Sequence, residues 1–164
     1  MPVAPKRRVY APKALAGQGS FREHGLERFA LQVCVAIAAL VPVAGGMDGV
    51  IWGAGALGEQ APGPLDSQVR FLSGLLAAIG VAYWTTVPEI EKAGGRFMLL
   101  TLIVVAGGFA RALGMLIAGP PGLLMSAVLA LELVVAPALF LWQSRIQRHA
   151  EHAPALMPVD AEQA

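Results

Sequence analysis

Four apolar stretches, each close to the roughly 20 residues a helix needs to cross a bilayer, leave this chain few ways to fold. They run from Phe29 to Met47, Val69 to Val87, Phe97 to Ile117 and Leu123 to Trp142. Hydrophobic residues make up 56% of the chain and charged residues only 14%, and the charges gather at the ends and at the junctions between runs. A soluble domain spreads its charges, because each surface helix must show water a polar face. The pattern predicts an all-α integral membrane protein, a four-helix up-down bundle formed by residues 27–145. Residues 1–26, with Pro2, Pro5 and Pro12, read as a disordered cytoplasmic arm, and residues 146–164 as a disordered cytoplasmic tail. The positive stretch before the first run is long, and the run itself exceeds the roughly 7–15 apolar residues of a cleaved signal peptide, so a retained helix is expected.

Orientation follows from the positive charges. Lys6, Arg7, Arg8, Lys13, Arg22 and Arg28 precede the first run, Lys92 and Arg96 fall in the second connection, and Arg145 and Arg148 follow the last run. Those are ten of the twelve Lys and Arg residues, and the first and third connections hold none. The positive-inside bias then assigns both termini and the second connection to the cytoplasm. Lys6-Arg7-Arg8 serves as a topology determinant in this reading. Gly119-Pro120-Pro121-Gly122 predicts a tight turn between neighbouring antiparallel helices, and Pro42 and Pro137 fall inside runs where membrane helices tolerate a kink.

The two remaining positive residues sit within apolar runs. Arg70 and Arg111 have acidic counterparts in Asp66 and Glu132. A charge near a helix centre costs about 2.5–3.5 kcal/mol on insertion scales, so it calls for a partner or a polar cavity. At about 1.5 Å per residue, Arg111 lies about 10 Å and Glu132 about 15 Å below the outer turn. The long arginine stem covers that difference, so the two can meet. All four charges are therefore expected in one polar cluster in the outer half of the bundle, between helices two, three and four. Asp66, Arg70, Gly74, Ala78 and Ala82 recur every four residues, and small residues at such spacing let helices approach closely. Gly107, Gly108 and Gly114 surround Arg111 and leave space for its guanidinium.

Several chemistries find no footing. The lone Cys34 excludes an intrachain disulfide, and His24, His149 and His152 lie in the tails, away from the membrane interior. Asp48 and Asp66 without further ligands make a poor divalent-ion site, so no metal is expected. Ser73 and Ser126 lack a neighbouring base, and Gly107-Gly108 lacks the strand–turn–helix setting of a nucleotide loop. A net charge of +1 gives no sign of a nucleic-acid partner. Neither a cofactor nor a catalytic residue is assigned, and the expected partners are the lipid bilayer and a second membrane protein or a second copy of the chain.

The runs Asp66-Ser67-Gln68-Val69-Arg70-Phe71-Leu72-Ser73-Gly74, Pro88-Glu89-Ile90-Glu91, Gly107-Gly108-Phe109-Ala110-Arg111 and Glu132-Leu133 together resemble small bacterial four-helix membrane proteins grouped as domain of unknown function 4345. The resemblance spans about residues 27 to 145. It implies a multi-pass protein of the bacterial inner membrane with no settled activity. The leading expectation is a non-enzymatic small binding or accessory membrane protein whose charge cluster is mainly structural. The alternative is a small transporter or proton-coupled carrier using Glu132 and Arg111, and the third a membrane enzyme acting on a lipid or quinone-like substrate.

Overall fold

The computed structural model describes residues 14–58, 61–119 and 122–152, and the Lys6-Arg7-Arg8 cluster lies outside them. Every element among these residues is helical: α1 (Ala14–Trp52), a 3-10 turn (Gly53–Leu57), α2 (Gly63–Thr86), α3 (Gly94–Ala118), α4 (Leu123–Ala130), a π-helical turn (Leu131–Val135) and α5 (Ala136–His152). Four of the resulting helical stretches are long and apolar enough to cross a membrane: Gly25–Ala56, Gly63–Thr86, Gly94–Ala118 and Leu123–Ala150.

Local chemistry sets most of the boundaries. α2 opens on Gly63 with Pro64 in its first turn, where the missing N–H costs nothing. It ends at Thr86; Val87 keeps helical backbone as its cap, and Pro88, which has no N–H to donate, cannot continue the hydrogen-bond ladder. α3 ends at Gly119, which takes φ +94°, a conformation L side chains rarely adopt. Helix formation overruns the apolar runs at both ends of the chain. α1 begins at Ala14, so residues 14–26 are helical, and α5 continues to His152. Extending an existing helix costs far less than nucleating one, so polar flanks follow their apolar neighbours. For the same reason α1 passes through Asp48 and takes in Val50, Ile51 and Trp52, which the apolar count assigned to a loop.

α1 and α2 form one tight pair. The middle of α1 meets the end of α2, where the Trp84 indole N–H donates to the Ala36 carbonyl at 3.0 Å. Close approach depends on glycines. A Cβ at Gly46 would stand 2.5 Å from the Ala77 nitrogen and 2.6 Å from the Ser73 carbonyl oxygen, and one at Gly80 2.9 Å from the Ala39 carbonyl oxygen. The interface therefore follows Ser73, Ala77 and Gly80. Of the stripe at every fourth residue, Gly74 is half-buried beside Val50, Ala82 is half-buried, and Ala78 is exposed. Four residues turn a helix by about 400°, so such a stripe drifts about 40° per step and leaves the contact.

The second pair is α3 with α4, the π turn and α5. The two pairs join mainly at one end of the molecule, around a core of Leu31, Val35, Ala39, Tyr83, Ile90 and Phe97. Tyr83 and Phe97 meet edge to face with ring centroids 5.2 Å apart, an arrangement worth about 0.5–1.5 kcal/mol beyond its area. At the other end the pairs separate. Among the described residues α4 packs on α3 and the π turn but not on α1 or α2. The bundle is a wedge, closed at the end where α1 starts and α5 finishes.

Candidate functional site

The structure resolves the four charges of the apolar runs into two pairs with different partners. Asp66 and Arg70 lie one turn apart on α2 and bind each other, with Arg70 Nε 2.8 Å from Asp66 Oδ2. Asp66 Oδ1 also accepts the Ala54 N–H at 2.9 Å, while Arg70 Nη1 donates to the carbonyls of Val50 at 2.7 Å and Ile51 at 2.9 Å. Those carbonyls belong to the last turn of α1, where a helix leaves its acceptors unpaired and a cation is favoured. Gly53, at φ +59°, makes the turn, and a side chain there would collide with the Asp66 carboxylate. This pair clamps the end of α1 to the start of α2.

The other pair joins the second half. Arg111 on α3 grips Glu132 with two parallel bonds, Nε to Oε2 at 3.0 Å and Nη2 to Oε1 at 3.1 Å. The two-pronged geometry marks the stronger kind of ion pair. The Glu132 side chain is 13% exposed and that of Arg111 33%. Arg111 Nη1 reaches only the thioether sulfur of Met125, at 3.5 Å, among the described residues. Gly108 lets α3 come this close: a Cβ there would stand 2.7 Å from Leu133 Cδ2 and 3.1 Å from Glu132 Cβ. Gly107 and Gly114 have open space where a side chain would go.

Glu132 sits in the π turn, in which the Ala136 N–H bonds back to the Leu131 carbonyl. Pro137 follows at once. Its ring would press on the carbonyl four residues earlier in a plain α-helix, that of Leu133, and a wide turn relieves that clash. Such turns are frequent at functional sites.

Between the two helix pairs lies a cavity of about 610 Å³ bounded by residues of all four long helices. Val35, Pro42, Leu76, Ile79, Val104, Val128 and Leu139 give it apolar walls, and Tyr83 and Phe97 border it toward the closed end. Its ionisable groups are Asp48, Tyr83, Arg111 and Glu132, with Ser73 also polar. The Tyr83 hydroxyl is engaged with Thr101 Oγ1 at 3.1 Å. Arg70 and Asp66 do not border this space. The single polar cluster expected from the sequence is thus a clamp outside the cavity and an ion pair on its wall.

The closed end carries polar contacts that hydropathy alone did not single out. Arg28 pairs with Glu91 at 3.1 Å and donates through Nη2 to the Pro88 carbonyl at 3.1 Å. Gln32 donates to the Val87 carbonyl at 2.7 Å, and the fully buried Gln143 to the Ile90 carbonyl at 2.8 Å. They supply partners for backbone carbonyls of the connection between α2 and α3, of which that of the fully buried Ile90 has the greatest need. The signal for them is slight: a glutamine inside the first apolar run and another just after the fourth.

No group of three or more His, Cys, Asp or Glu side chains suited to a metal occurs among the described residues. Cys34 is exposed on α1. Comparison with the curated proteins finds no match, and neither does comparison with the solved structures. The model of the family described as Domain of unknown function (DUF4345) matches residues 30–143, most of the chain and all four of its apolar runs, and the chain belongs to that family.

Proposed function

We propose that this protein is a four-helix up-and-down bundle of the bacterial inner membrane, with both termini cytoplasmic, that holds a membrane-soluble molecule between its helix pairs without chemically converting it. The observation that carries this reading is the cavity of about 610 Å³, apolar on its walls and bearing one ion pair. Its size falls within the roughly 300–1,000 Å³ of ordinary ligand sites. An apolar space with a few convergent polar groups is what a lipid-soluble ligand needs. A chemical role has less support, since Tyr83 is tied to Thr101 and Glu132 to Arg111.

The test uses Gly107, which borders the cavity and where an added Cβ would have nothing within 4 Å. Gly107→Phe places a bulky ring at the cavity wall from a position whose Cβ meets no other helix. Wild-type protein released from a mild non-ionic detergent is expected to carry a bound small molecule by native mass measurement, and the variant to be bare. Identical ligand loads on the two proteins would sink the reading. Orientation has a separate check: a reporter active only in the periplasm, fused after Ala164, stays silent if both termini are cytoplasmic.

The second reading is a small transporter or proton-coupled carrier, favoured by the position of Glu132 and Arg111 on the cavity wall. Against it, both Glu132 oxygens are occupied. In a carrier Glu132→Gln abolishes flux while the protein remains folded.

A further inference from the structure

Resting on the binding reading above, we propose that the cavity selects an uncharged, membrane-soluble molecule whose apolar body ends in a carbonyl-type oxygen, and that Arg111 reads that oxygen.

The argument starts from what Arg111 lacks. Its guanidinium has more N–H donors than one carboxylate can take. Glu132 engages Nε and Nη2, and Nη1 has only the Met125 sulfur, at 3.5 Å, among the described residues. A thioether is a weak acceptor. Arg111, Glu132 and Met125 all border the cavity, so the poorly satisfied edge of the guanidinium belongs to the space a ligand would enter. An unmet donor in apolar surroundings carries a desolvation penalty that an incoming oxygen removes.

Charge then decides the kind of oxygen. The fixed charges bordering the cavity are Asp48, Glu132 and Arg111, two negative against one positive. An anionic ligand would compete with Glu132 for the guanidinium and leave a carboxylate without its partner. Breaking a shielded ion pair by removing one partner costs more than the new contact returns. A cationic ligand could take Asp48 as its counter-charge, but the guanidinium edge that awaits an acceptor would repel it. A neutral acceptor adds a bond to Nη1 and leaves the two-pronged pair intact. Apart from Ser73, the remaining surface is mainly aliphatic and aromatic, which suits a hydrocarbon body.

Four probes of matched chain length separate these cases: methyl decyl ketone, dodecane, dodecanoate and dodecyltrimethylammonium. Each is titrated against the full-length protein in non-ionic detergent, and the ligand-bound fraction is read by native mass measurement. The ketone is expected to bind about tenfold tighter than dodecane, as one hydrogen bond to a charged donor allows, and tighter than either ion. In the double variant Arg111→Met with Glu132→Met, which removes both charges and their hydrogen-bonding groups together, the ketone and dodecane should bind alike. Tightest binding by dodecanoate or by the ammonium probe overturns the proposal, as does an undiminished ketone preference in the double variant. Equal binding of all four probes, abolished by Gly107→Phe, overturns the ligand class but leaves the cavity as a binding site. If no probe binds, or if Gly107→Phe changes none of them, the binding reading itself fails.

Discussion

Removing either member of the Arg111–Glu132 pair leaves a charge that the fold has withdrawn from water. Glu132→Gln strands the guanidinium beside Met125; that side chain keeps 33% of its exposure, so part of its hydration survives. The expected loss is about 3 kcal/mol, the low end of the range for breaking a shielded pair. Arg111→Gln strands a carboxylate only 13% exposed, and about 4 kcal/mol is expected. Two independent losses would sum to about 7 kcal/mol. The double substitution leaves two neutral amides able to bond each other, and its expected loss is only about 3–4 kcal/mol, a coupling of about 3–4 kcal/mol. The assay is reversible unfolding of the four proteins in mixed micelles, followed by helicity over a denaturing-detergent titration. If the two single losses add to within about 0.5 kcal/mol of the double, the pair is not an energetic unit and the reasoning fails.

Neighbouring glycines on α1 should respond with opposite signs. Gly46→Leu forces its side chain against the α2 backbone and should lower stability by about 1–3 kcal/mol, whereas Gly45→Ala, with open space around it, should raise stability by up to about 1 kcal/mol; thermal unfolding of both checks this. Arg70→Ala frees the last carbonyls of α1, and hydrogen exchange across residues 50–54 should accelerate while that of the closed end is unchanged. Gln143→Leu removes the bond to the Ile90 carbonyl within the core and should cost about 1–3 kcal/mol by the same unfolding assay.

The apolar runs made the four helices legible, because crossing length is a direct function of helical rise. Rise alone also brought Arg111 within reach of Glu132, and the structure joins them. The Arg70–Asp66 pair was legible from its one-turn spacing, but the carbonyls that Arg70 also binds were not. Its carbonyl partners, Val50 and Ile51, belong to a helix that continues beyond Asp48, where the apolar count stops. The packing face of α2 departs from the expected stripe because a repeat of four is not the helical period, and the contact follows Ser73, Ala77 and Gly80. The π turn depends on how the chain accommodates Pro137, which spacing does not specify. The cavity arises from how two helix pairs meet, so no single run contains it.

The closed end has a mechanical consequence. The helix pairs share their core there and diverge beyond it, so the contacts of Gln143 with Ile90 and of Arg28 with Glu91 lie at a fulcrum. From Gln143 to Leu123 the arm is about 30 Å long. A rotation of about 5° at the fulcrum moves its tip by about 3 Å over that length. Changes at the connection between α2 and α3 therefore act with leverage on the width of the mouth, without touching a residue that borders it.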